Sequence, residues 1–283
     1  MLPPARSLSG AWNEFMAYRR FISILVAAVL TCLASPLAAA DAPRPISLIF
    51  DTNENPPFTY GVGTEIRSPL PGLVIELLRA ASAHAAVPIE ITRVPWARGL
   101  ELIQAAEADG IFMSSYTQDR LAYGVYPMKD GKPDVGRKLV DLSYWLYVRQ
   151  DSGIGWDGKT ISNLHAPIGA TTGFAVIPML RAMGATVEED PVHLRNLYKL
   201  LRGEIDGYAE LQAHVERSLR DHPKVFETLV KLPMPLRTTP YYLMFSKPFY
   251  AESSDRAERL WDAIAWVNAQ PEFQDRIRTE YTD

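Results

Sequence analysis

Cysteine is all but missing from this sequence: Cys32 is the one copy in 283 residues. A single thiol can neither close an internal disulfide nor build a thiolate metal centre, so disulfide-framework folds are excluded. Histidine is sparse too, and its five copies, His84, His165, His193, His214 and His222, show no metal-ligand spacing. Positive charge is not in excess. With 29 basic and 33 acidic residues the formal charge is -4, the wrong sign for displacing counterions from nucleic acid. Long apolar runs are lacking, and neither G-x-S-x-G nor H-E-x-x-H occurs. What remains is a folded composition, 47% hydrophobic and 10% aromatic, long enough for about two domains.

The N-terminus carries a targeting pattern. Arg19 and Arg20 precede the apolar run 21–30, Pro36 ends the stretch, and Ala38-Ala39-Ala40 lead into polar Asp41. The run is too short for a bilayer span of about 20 residues, and it reads as a secretory signal, residues 1–40, cleaved after Ala40. An uncleaved anchor is the alternative. A compact n-region beginning at Met16 makes Met16 the expected true start. Lipidation of Cys32 is a further alternative, although Thr31 is larger than lipoprotein processing usually accepts. Cleavage removes Arg6, Arg19, Arg20, Glu14 and Cys32, leaving 26 basic and 32 acidic residues, a charge of -6 and no thiol. The expected location is the periplasm.

From Asp41 onward, strand-like and helix-like patterns alternate. Residues 46–50 form a β-rich run closed by Asp51 and by the turn formers Asn55-Pro56-Pro57. A helix is expected over 73–86, a strand over 89–94, and a helix whose apolar stripe is Trp96, Leu100 and Ile103. A third strand follows at 110–113. This order predicts a parallel sheet covered by helices on both faces. The rhythm restarts with a strand at 167–170 and a helix over 174–183. Asp190-Pro191 then reads as a helix start, with Leu194, Leu197, Tyr198 and Leu201 as the buried face. Gly203 ends that helix, and 205–209 returns as a strand. The aromatic run 139–148 suits a strand crossing from one lobe to the other, and 241–245 a crossing back. The last helix has Asp255 and Glu258 in capping-box spacing and buries Leu260, Ile264 and Val267.

An ordered series of short motifs spans nearly all of residues 45–270. It comprises Phe50-Asp51-Thr-Asn-Glu-Asn-Pro56-Pro57-Phe58, Gly72-Leu-Val-Ile-Glu-Leu77, Val94-Pro-Trp96 and Asp109-Gly110-Ile111. It continues with Ser114-Ser115-Tyr116-Thr117-Gln-Asp-Arg120, Gly169-Ala-Thr171-Thr172-Gly173 and Gly203-Glu-Ile-Asp206-Gly207. In this series the chain resembles the family 3 extracellular solute-binding proteins of polar amino acid ABC transporters. The resemblance implies an α/β type II periplasmic binding fold: two Rossmann-like lobes joined by two crossing strands, closing like a Venus flytrap on a small solute. Residues 41–145 plus 238–283 would form lobe 1 and 146–237 lobe 2. It also implies a monomer that captures its solute without a cofactor or metal and hands it to a membrane ABC permease.

A polar solute loses its water shell on entering such a cleft, so the protein must replace those hydrogen bonds. The planar fork of Arg120 can hold a carboxylate through two parallel bonds. In the family the arginine of a Thr-x-x-Arg pattern clamps the ligand carboxylate, and Thr117–Arg120 matches it; a surface ion pair with Asp119 is the alternative. Ser114 and Ser115 precede it. Thr171 and Thr172 lie in a Gly-rich strand-to-helix turn, as ligand donors or as a helix cap. Two departures from the family pattern stand out. Leu211 occupies the position that usually supplies an aspartate to the ligand ammonium. Either the adjacent Glu210 substitutes, or the solute is not an α-amino acid. Asn55 stands where an aromatic residue usually stacks, and Glu54, Trp96, Tyr116 and Tyr208 are candidate replacements. For Trp96 the alternative is packing with Leu100. The expected activity is binding rather than catalysis. Two other classes stay open: a dehydratase-like or peptidoglycan-cleaving enzyme using Glu54 and Glu210, and a ligand-sensing module of a signalling system.

Overall fold

The structure, a computed structural model, describes residues 43–61 and 63–281. The signal segment, the Met16 start, the cleavage after Ala40 and Cys32 lie outside the described residues. Strand β1 (Ile46–Asp51) runs parallel to β2 (Ile89–Val94) on one side and to β3 (Gly110–Ser115) on the other. Its side chains alternate between two cores, because successive residues of a strand point to opposite faces. Ile46, Leu48 and Phe50 join the buried face of helix α1 (Leu73–Ala85), while Ile49 packs with Trp96 and Ile103 of α2 (Trp96–Gln104).

Beyond β3 come the short strands β4 (Gly124–Val125), β5 (Met128–Lys129) and β6 (Lys132–Pro133), then the long strand β7 (Val140–Arg149). A small hairpin, β8 (Gly155–Trp156) with β9 (Ile161–Ser162), precedes a second parallel unit. There β10 (Ile168–Thr171) lies between β11 (Val187–Asp190) and β12 (Gly207–Leu211). Helices α3 (Val176–Ala182), α4 (His193–Arg202) and α5 (Gln212–Asp221) belong to this unit. Strands β13 (Leu229–Lys231) and β14 (Arg237–Ser246) and helices α6 (Lys247–Asn268) and α7 (Pro271–Glu280) complete the chain.

The two units share one sheet, in the order β11-β10-β12-β7-β14-β3-β1-β2. Residues 140–144 of β7 pair with β14, and 144–148 pair with β12. Likewise β14 pairs with β7 through Tyr241 and with β3 from Tyr241 onward. The two aromatic runs therefore cross between the halves side by side, as their sequence predicts.

Several local expectations need correction. Asp190 does not cap a helix: it ends β11, and its carboxylate accepts from Val192 N–H, Arg195 and Lys199. Helix α4 consequently starts at His193 and turns Asn196, Leu197 and Leu200 inward, leaving Leu194 (42%) and Tyr198 (41%) exposed. The helix carrying Asp255 begins earlier, at Lys247, capped by Ser246, whose hydroxyl accepts from Phe249 N–H, and it is interrupted at Ser253. Glu258 is engaged by Arg137 and Tyr250 instead of a cap, while Leu260, Ile264 and Val267 are buried as expected. Residues 153–160, GIGWDGKT, have the letter spacing of a phosphate-binding loop. They form the β8–β9 hairpin instead, with the Asp157 carboxylate filling the Lys159 and Thr160 N–H groups, so no phosphate cradle exists there.

Gly72 sets the entry of α1. Its φ is 116°, and a Cβ there would lie 2.4 Å from the Phe58 carbonyl oxygen. Positive φ and backbone overlap both oppose a side chain. Gly72→Ala is expected to cost at least about 2 kcal/mol, a fall of about 4–8 °C in the melting temperature by calorimetry.

Candidate functional site

In parallel sheets the groups free to meet a ligand lie at the carboxyl ends of strands. Here Asp51 ends β1, Ser115 ends β3 and Leu211 ends β12, and all three line one cavity of about 40 Å³. Asn53, Asn55 and Thr59 come from the loop after β1, and Leu142 and Tyr144 from β7. Phe50, Trp96, Met113, Phe174 and Tyr241 give the wall its apolar character, Arg120 gives it positive charge, and the imidazole of His214 completes it.

Arg120 is 5% exposed on a single turn of 3-10 helix at Asp119–Ala122. One terminal nitrogen donates to Ser115 O at 2.6 Å and Ser114 Oγ at 3.3 Å; the other donates to Gly173 O of the opposite half at 2.9 Å. Of the five N–H donors of a guanidinium, three are thus engaged, and Nε–H with one Nη2–H remains available. No ion pair with Asp119 forms. Trp96 sits beneath, its ring 5.3 Å from the guanidinium carbon and its indole N–H on Gly173 O at 3.3 Å. Trp96 thus packs in the core and also lines the cavity.

The remaining sequence-derived candidates fall into three groups. Ser115 lines the cavity, with its hydroxyl unpartnered, whereas Ser114 lies below, bonded to Tyr126 and Arg120. Thr171 and Thr172 border an adjoining crevice of about 350 Å³ rather than the cavity itself. Tyr116 and Glu54 are also placed outside the cavity. The Tyr116 hydroxyl donates to Gln118 and its ring meets Tyr126, while Glu54 accepts from Gly61 N–H and pairs with Arg217 across the cleft.

Tyr208 and Glu210 are fully buried and do not reach the cavity. Glu210 Oε2 accepts from Thr171 Oγ1 at 2.5 Å and Tyr208 OH at 2.6 Å; Oε1 accepts from Leu211 N at 2.7 Å and faces His214 Nδ1 at 3.2 Å. Burial alone would push the Glu210 carboxyl up, but the hydrogen bond and charge of His214 outweigh it and hold it below the ordinary range. The same pair raises His214 against the opposing effect of burial. Nearby His193, bonded to Tyr208 OH and Ser218 Oγ, is driven down to about 4 by burial and stays neutral. Glu54 borders a separate crevice, tied to Gly61 N–H and Arg217, while Glu210 is fully buried with both carboxylate oxygens engaged.

Sequence reasoning missed Asp51, Tyr144, Phe174, His214 and Tyr241 as wall residues. One signal was available: Glu210 and His214 are four residues apart, the separation at which a strand end and the first turn of the next helix meet. Among the described residues no group of His, Cys, Asp and Glu is arranged to hold a metal ion, and no helix is long and apolar enough to cross a membrane.

No family model matches the chain, and no curated protein matches it. Solved structures do. A histidine kinase sensor domain with similarity to periplasmic binding proteins superposes with a TM-score of 0.65 at 15% identity, covering 85% of this chain and 97% of that one. The arginine-, lysine-, histidine-binding protein ArtJ of Geobacillus stearothermophilus gives 0.62 at 16%, covering 84% and 95%. The GluR0 ligand-binding core of Nostoc punctiforme, in complex with L-glutamate, gives 0.60 at 15%, covering 84% and 100%. The fold is that of the type II periplasmic binding proteins, as the sequence resemblance implies.

Proposed function

We propose that the protein is a periplasmic solute-binding protein of the family 3 type. Two lobes, 41–145 plus 238–283 and 146–237, would close over a small carboxylate-bearing solute and deliver it to an ABC-type permease. The observation that carries this reading is Arg120: a buried guanidinium on one side of the cleft, bonded to a carbonyl of the other side, with two N–H donors left for a carboxylate. Binding energy realised only when the halves meet would drive closure.

A stability screen of small carboxylates, amino acids and organic acids tests it. A solute at 100 times its dissociation constant adds about 2.7 kcal/mol, a rise of about 5–10 °C in melting temperature. Silence across the whole screen would remove the reading. The likeness to a histidine kinase sensor domain favours one second reading, a sensory module. Co-purification with a permease, as against a kinase, separates the two.

A further inference from the structure

The second half presents no carboxylate to the cavity where the resemblance leads one to expect an aspartate. That position is Leu211, and the charged group beside it in the wall is His214. Glu210 lies behind, with both carboxylate oxygens occupied by Thr171, Tyr208, Leu211 N–H and His214. Its bond to Nδ1 fixes the ring and leaves Nε2 as the nitrogen without a protein partner among the described residues. Two further polar atoms of the same wall, Ser115 Oγ and Tyr241 OH, on residues 1% and 3% exposed, have no hydrogen-bond partner of good geometry, although Tyr241 OH lies near Tyr144 and Ser115. Buried polar atoms of this kind are costly unless a ligand or water completes them.

Asp51 is the one carboxyl in the wall. Its Oδ1 accepts from the backbone and side chain of Asn53, burial disfavours its charge, and His214 is its chief opposite charge. With Nδ1 on the buried Glu210 carboxylate, the protonated His214 ring keeps its second nitrogen as an N–H donor, and an ammonium placed against Asp51 would stand beside that positive charge. A hydroxyl or carbonyl oxygen instead satisfies the His214 N–H directly.

We propose that His214 reads the α-substituent of the solute as a hydrogen-bond acceptor, so that the site selects short-chain 2-hydroxy or 2-oxo acids over the matching 2-amino acids. The carboxylate goes to Arg120 and the short tail to the apolar wall of Phe50, Trp96 and Phe174. At about 40 Å³ this cavity is far smaller than the adjoining crevice of about 350 Å³, which favours a short chain. The inference rests on the solute-binding reading and specifies its ligand.

Calorimetry on the purified mature chain with two matched sets tests it: alanine, lactate and pyruvate, and 2-aminobutyrate, 2-hydroxybutyrate and 2-oxobutyrate. The hydroxy or oxo member of a set is expected to bind at least tenfold more tightly than its amino member. His214→Gln, which keeps a neutral donor but cannot carry charge, is expected to cut that preference to below threefold; an undiminished preference in this variant overturns the role of His214. Equal or tighter binding of the amino members overturns the inference while leaving the solute-binding reading intact, as does binding of some other carboxylate with no response to either set. If no carboxylate of any kind binds, both fall together.

Discussion

Replacing Arg120 with alanine is expected to weaken solute binding about 10–150-fold. A charge-assisted hydrogen bond contributes roughly 1.5–3 kcal/mol, and each 1.4 kcal/mol is a factor of ten. The substitution also removes the Gly173 bond that ties the two halves together, so closure loses support at the same moment. Arg120→Lys separates charge from geometry. An ammonium keeps the charge but cannot reach Ser115 O and Gly173 O while presenting two parallel donors to a carboxylate. Its affinity should fall between wild type and Arg120→Ala. Titration calorimetry with a solute from the stability screen decides the matter: unchanged affinity in both variants would strip Arg120 of its assigned role.

The second large effect concerns stability. Glu210→Ala leaves the imidazolium of His214 buried without its counter-charge, together with the Thr171 and Tyr208 hydroxyls. Breaking a buried pair by removing one partner costs about 3–5 kcal/mol, or about 6–20 °C of melting temperature for a chain of this size. Glu210→Gln, which still accepts from Thr171 and Tyr208, should lose less. The pair also has a pH signature. His214 is raised in the folded state, so its contribution is complete below the unfolded value of 6.5 and fades as pH rises through the folded one. Glu210 is lowered, so its contribution is complete above 4.5 and fades as pH falls through its folded value. Both act fully between about pH 4.5 and 6.5. His193 runs the other way: neutral in the fold down to about 4, it loses stability as pH drops below 6.5. Measured in a His193→Gln background, wild-type Glu210 should exceed Glu210→Gln most within that window. A pH-independent gap between them would mean that the pair is not ionised.

Much of the scaffold was legible because its signals are local. Alternating apolar residues mark β1, and the stops at Asp51 and Gly203 lie where the elements end. Strand β11 was hidden because it is the sheet edge and reads Val-Glu-Glu-Asp, charges that discourage pairing with a further strand and imitate a loop in sequence. The inward face of α4 was misread for a related reason: it carries Asn196, whose amide bonds Asp190 O, a polar anchor that apolar spacing cannot reveal. At the site, Arg120 stood out by its motif. Asp51 and His214 did not, because their meeting depends on two crossing strands bringing distant segments to one cavity. Glu210 was visible as an acid next to Leu211, but which way a strand-end side chain points depends on pleat and register, and here it points into the protein.

One carbonyl, that of Gly173, receives both Arg120 and Trp96 from across the cleft, and Glu54 meets Arg217 on a different rim. These clasps consist of protein atoms alone, so on the proposed reading the shut form would draw part of its free energy from the chain, and a solute would supply only the remainder. A membrane receptor that recognised outline only would then answer to unloaded molecules as well. On that reading, faithful signalling or delivery would depend on how long the jaws stay together, a dwell time that a bound solute would lengthen and for which the Gly173 clasp would set the baseline.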